Sequence, residues 1–94
     1  MQFMVMTQRY SDQYSEEEFA SVLPEETETV RKLYAEGVVR QIWLRADGPG
    51  ACFLLEAASL EEAQAAVDAL PLAREQMSEF RIIPLRPYGG FGPR

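Results

Sequence analysis

The chain has no histidine and one cysteine, Cys52, among its 94 residues. Without histidine, Ser-His-Asp triads, Cys-His pairs and the usual zinc sites are excluded, which leaves carboxylates, Tyr, Arg, Lys and hydroxyls to move protons. One cysteine permits neither a disulfide framework nor a thiolate metal cluster within the chain, so Cys52 reads as a small buried hydrophobe and no metal or cofactor is expected. Lysine is nearly missing too, Lys32 being the only one. No apolar run is long enough to span a bilayer, and the first strand-like run, Gln2 to Thr7, has neither the basic start nor the cleavage site of a secretory leader. The expected location is the cytoplasm, with no membrane partner.

A net charge of −6, from fifteen acids and nine bases, weighs against nucleic acid or anionic membrane as partners. The distribution is uneven. Most acids fall in helical stretches, whereas Arg40, Arg45, Arg81 and Arg86 fall in strand-like ones, so an anionic small molecule remains an acceptable ligand. At 47% hydrophobic and 26% charged, the chain is composed like an ordinary globular protein. Its length predicts one domain, residues 1–94, whose modest core a second subunit would extend.

Elements follow from periodicity and punctuation. After the strand at Gln2 to Thr7, a polar loop with Tyr10 and Tyr14 leads to Ser15, whose spacing to Glu18 makes a capping box. Pro24 either interrupts that helix or opens a second segment, and Pro24 to Glu36 is helical in both cases. Gly37 stops it. Val38 to Arg45 and Ala51 to Ala57 read as a hairpin about the turn Asp47-Gly48-Pro49-Gly50, which lacks the lysine and strand-to-helix context of a phosphate loop. Ser59, with Glu62 completing a second box, caps a helix with the stripe Leu60, Ala63, Val67 and Leu70. Pro71 ends it, an irregular stretch passes Arg74 and Met77, and Phe80 to Arg86 is the last strand. In the glycine-rich tail Pro87 to Arg94, Tyr88 and Phe91 read as anchors onto a neighbouring subunit.

The order is βαββαβ, the split βαβ or ferredoxin-like arrangement, an α+β fold with a four-stranded antiparallel sheet. Phe3 and Val5 alternate with Met4 and Met6, Phe53 and Leu55 with Cys52 and Leu54, so both sheet faces are apolar. Two helices cover one face only. A second copy of the chain is the economical cover for the other, the sheets packing or closing into a barrel between subunits as a homodimer or higher homo-oligomer.

One residue breaks the helical pattern. Phe19, Val22, Leu23, Val30, Leu33 and Tyr34 recur at three- and four-residue steps, and Glu26 falls within that stripe. A carboxylate there is paired, snorkelling or working as a general base. Arg40 and Arg45, five apart, project to opposite faces of a regular strand. The bland alternatives are a salt-bridged Glu26, an Arg40 in an intersubunit ion pair, and a Trp43 packed in core or interface.

The helix end Glu36-Gly37, the strand Val39-Arg40-Gln41-Ile42-Trp43, the hairpin after it and Leu70-Pro71-Leu72 resemble the muconolactone isomerase-like family of the dimeric α+β barrel group, over Phe3 to about Pro87. The resemblance implies a ferredoxin-like subunit, homo-oligomers built from dimers, and a cofactor-free shift of a double bond in an unsaturated lactone bearing a carboxylate. It aligns Glu26, without gaps back from Gly37, with the glutamate thought to move the proton there. It also shows departures: Pro49 replaces a hairpin tyrosine, Gln41 a histidine, and Leu85-Arg86-Pro87 lacks a histidine before its proline. The expectation is therefore a cofactor-independent isomerase of a small unsaturated lactone or related carbonyl acid. Glu26 is its catalytic residue, and Arg40, Trp43 and Tyr10 bind substrate, although position alone does not choose among Tyr10, Tyr14 and Tyr34. The alternatives are a cofactor-free monooxygenase or cyclase, or a non-catalytic oligomeric small-ligand-binding protein.

Overall fold

The computed structural model describes residues 1–92; Pro93 and Arg94, the end of the expected tail, lie outside them. The elements run β1 (Gln2–Arg9), α1 (Glu16–Ala35), β2 (Val39–Leu44), β3 (Ala51–Glu56), α2 (Leu60–Asp68), α3 (Pro71–Arg74) and β4 (Ser78–Pro84), with one 3₁₀ turn at Gly89–Phe91. The strands pair antiparallel in the order β2-β3-β1-β4. This is the ferredoxin-like α+β fold expected from the sequence.

Local chemistry sets the helix limits. Ser15 Oγ accepts the Glu18 N–H at 3.1 Å while Glu18 Oε1 accepts the Ser15 N–H at 2.9 Å, so the first capping box forms. At the other end, Gly37 sits at φ 80°, its N–H donating to Tyr34 and that of Val38 to Leu33, a Schellman stop that needs a left-handed residue. Pro24 breaks nothing: α1 continues for 20 residues. Proline removes only the bond to the Ala20 carbonyl, and Ala20 and Pro24 are both exposed, so water can serve that carbonyl. The second box is altered, because Ser59 Oγ accepts from Glu62 N–H but Glu62 Oε2 reaches Ala58 N–H, 3.2 Å away.

The stretch after α2 is not irregular. Pro71 ends one helix and opens α3 at its first position, where a missing N–H costs nothing. Leu60 and Tyr34, expected in apolar stripes, are 50% and 64% exposed, each lying at the outer end of its helix.

The core lies between the helices and one sheet face. Phe3 pairs across to Leu55 and Val5 to Phe53, with Val39 beside Leu55, and these pack with Ala63, Val67 and Leu70. Phe19, Leu72 and Met77 form a second cluster with Val22 and Leu23 packed against it. On the opposite face Met4 pairs with Leu54 and Ile83, and Met6 with Cys52. All five are only half-buried, so Cys52 belongs to this open face and not to the core.

Candidate active site

Glu26 stands on α1 between two apolar groups: Phe19, Val22 and Leu23 pack into the smaller cluster, Val30 and Leu33 against the larger. Its side chain is half-buried, and Oε1 accepts the N–H of Leu72 at 2.9 Å. Leu72 is the second residue of α3, whose N-cap, Leu70, offers no side-chain acceptor. Glu26 thus supplies from 46 residues away the cap that local sequence omits. Its other oxygen, Oε2, accepts no hydrogen bond among the described residues.

The electrostatic balance at Glu26 has a definite sign. Burial pushes its carboxyl above the ordinary carboxylate range, the Leu72 N–H and the charges of Arg9 and Arg74 pull it back, and Glu25 adds a smaller upward push. Burial prevails. A carboxylate serving only as a helix cap would show the reverse order, because a hydrogen bond to the charged form lowers a carboxyl pKa. The group is therefore a better base than a surface glutamate, with one oxygen fixed and one free.

The other three expected site residues lie elsewhere in the protomer. Arg40 is exposed, in a cleft with Tyr34, Gly37 and Val39 at the far end of α1. Tyr34 is eight residues from Glu26, about 12 Å along the helix axis. The strand is not regular there: Val39 pairs with Leu55 but Gln41 with Leu54, so Arg40 is the extra residue of a β-bulge and the alternation argument relating it to Arg45 does not apply. Arg45 is already engaged, paired with Asp47 at 3.0 Å and donating to the Thr7 carbonyl at 3.1 Å. Trp43 pairs with Cys52 and lies on the open face, 48% exposed. Tyr10 lines a cleft of about 550 Å³ with Gln64, Asp68, Gln76, Ser78 and Phe80. One protomer does not gather Arg40, Trp43 and Tyr10 around Glu26.

Two neighbours of Glu26 escaped the sequence reading, Arg9 and α3. Arg9 ends β1, and its N–H donates to the Pro49 carbonyl, tying the hairpin loop over the strand end. Arg74 also acts on Glu26, but its guanidinium is held by Glu25 at 3.1 Å and Glu75 at 3.7 Å. The period-two register was the available signal for Arg9, since Phe3, Val5, Thr7 and Arg9 share one face. Nothing local signals the long-range cap on α3. Among the described residues no group of three or more Cys, Asp or Glu is placed to share a metal ion, and no helix is long and apolar enough to cross a membrane.

No curated protein matches the sequence. Among solved structures the fold is similar to a muconolactone isomerase crystal structure, with a TM-score of 0.81 and 18% identity over 100% of this chain and 97% of that one. It is also similar to the 5-chloro-2-hydroxyhydroquinone dehydrochlorinase of Burkholderia phenoliruptrix bound to 2,5-dihydroxybenzoquinone, with a TM-score of 0.63 and 17% identity over 92% and 94% of the two chains. At such identities these likenesses speak for the fold. The sequence itself matches the family model described as muconolactone delta-isomerase over residues 1–90, and with nearly all of its length covered the chain belongs to that family of small-molecule isomerases.

Proposed function

We propose that the protein shifts a double bond in a small unsaturated lactone or related carbonyl acid, with Glu26 as the base that carries the proton. The observation that carries this reading is a half-buried carboxylate with one oxygen fixed on Leu72 N–H, the other unengaged, and a basicity raised by burial. Oε2 takes a proton from carbon conjugated with the lactone carbonyl, the electrons delocalise into a dienolate, and the same carboxyl returns the proton at another carbon. One C–H bond breaks and one forms. The change is redox-neutral and asks the chain for nothing beyond a base and a site for the substrate, and general-base catalysis of this kind contributes about 10²- to 10⁴-fold.

The test is turnover of muconolactone in D₂O followed by proton NMR. Deuterium should enter at the carbon that gains hydrogen whenever the Glu26 carboxyl exchanges with solvent before returning its proton, and Glu26→Gln should slow both turnover and exchange by about 10²- to 10⁴-fold. Exchange that continues unchanged in Glu26→Gln would refute the assignment. Saturable binding without exchange in the unaltered protein would make it a ligand binder instead.

The open sheet face supports self-association as part of this reading. Its central residues, Met4, Met6, Cys52 and Leu54, are uncharged, and Trp43 stands exposed beside them. A second copy offers the same surface about a two-fold axis, and burial there would supplement a small core. Light scattering should give at least twice the 10.7 kDa chain mass, with Trp43 emission shifting to the red on dilution to monomer.

A further inference from the structure

Arg9 occupies an unusual position for a cation. It pairs across to Ser78, so it follows Phe3, Val5 and Thr7 on the helix-covered face instead of pointing to the open side. It makes no ion pair and no side-chain hydrogen bond among the described residues. Its guanidinium carbon lies 5.5 Å from the centre of the Phe19 ring, within cation–π range, while its N–H groups have no protein partner among the described residues. Beside it is a cleft of about 300 Å³ that Arg9 lines together with Ser11, Glu16, Phe19, Leu23 and Pro49, so the cleft holds one carboxylate as well as the guanidinium. That volume is at the small end of small-molecule sites, about 300 to 1,000 Å³.

Glu26 does not line this cleft, but it lies on the same face of α1 as two residues that do. Phe19, Leu23 and Glu26 are spaced four and three residues apart, which places them in line on one face of α1. The charge of Arg9 also reaches the Glu26 carboxyl. Arg40, by contrast, sits beyond the other end of the helix.

We infer that Arg9 anchors the carboxylate of an anionic lactone or carbonyl acid in this cleft, with the apolar ring against Leu23 and Pro49 and the reacting carbon towards Glu26. The inference rests on the isomerase reading for the direction of the ligand, whereas the anion site itself rests on the placement of Arg9. Arginine's fork matches a carboxylate by two parallel hydrogen bonds.

Calorimetric titration with muconolactone and with its neutral methyl ester tests the site directly, alongside the turnover assay. The unaltered protein should bind the acid about 10- to 100-fold more tightly than the ester, the span expected for a charge-assisted pair. Arg9→Met should erase that preference, Arg9→Lys should retain part of it with an unchanged melting temperature, and Glu26→Gln should keep it in full. No preference in the unaltered protein, or a preference that survives in Arg9→Met, overturns the assignment. So does equal weakening of acid and ester, which would mark Arg9 as structural. Because Glu26→Gln keeps the anion site, loss of the base assignment and loss of the Arg9 assignment give different results.

Discussion

Phe53 and Leu54 are neighbours in β3, yet Phe53 is 3% exposed beneath the helices and Leu54 stays half-buried on the open face with Met4 and Trp43. Both faces are apolar at their centre, but only one is closed within the chain. The closed face is bordered by two charged groups, Glu26 on the helix side and Arg9 on the strand side. The open face carries the charges of Arg81 and Glu79 on its edge strand, β4. Apolar surface that is sealed can raise a carboxylate's basicity; apolar surface left open is better matched to a partner copy.

The largest expected effect falls on the sealed side and on rate. Glu26→Gln keeps an oxygen for Leu72 N–H but loses the titrating group, so turnover should drop by about 10²- to 10⁴-fold with little change in urea midpoint. A midpoint that collapses along with the rate would mean that Glu26 matters mainly as the clamp on α3.

A second comparison separates the faces by stability. Phe53→Ala should cost about 3–5 kcal/mol, a large share of the stability of so small a domain. Leu54→Ala should cost far less in the monomer and should instead make the urea midpoint depend more strongly on protein concentration. Equal losses at both positions, independent of concentration, would show that the open face is already covered within the chain.

Gly50 gives a smaller effect at the hairpin. A Cβ there would stand 2.1 Å from the Thr7 carbonyl oxygen, which also accepts from Arg45, so Gly50→Ala must push β1 and the hairpin apart. About 1–3 kcal/mol is expected, read from urea denaturation. The neighbouring bond from Arg9 N–H to Pro49 should loosen with it, weakening acid binding more than ester binding.

How far the sequence led depended on the range of the interactions. Strands, caps and the Gly37 stop follow from contacts within a few residues, so they were legible at Ser15, Glu18 and Gly37. The anomaly at Glu26 was legible too, because a 3.6-residue period makes one carboxylate in a stripe conspicuous. Its hydrogen bond to Leu72 was not, since α1 and α3 meet only through tertiary packing. Arg40 was favoured by family position, but a bulge in β2 and the length of α1 carry it away from Glu26. Arg9 is not conspicuous in the sequence because the apolar alternation of β1 stops at Thr7, two residues before it, and only the register to Ser78 turns it inward.

The smallest effect concerns pH and decides between the two roles of Glu26. Its carboxyl titrates above the ordinary range in the folded chain, so folding favours the protonated form. The stability this group contributes is then fully present below its unfolded value, about 4.3, and is lost as pH rises through the raised folded value. Glu26→Gln has no such proton, so unaltered protein and variant should differ in urea midpoint by an amount that drifts against the unaltered protein on going from acid to neutral pH. Turnover should move oppositely, rising with pH over the same interval as the base form appears. If capping α3 were the dominant interaction, the folded pKa would lie below the unfolded one and the unaltered protein would gain on the variant as pH rises. The direction of that drift therefore separates a buried base from a helix cap without requiring the substrate.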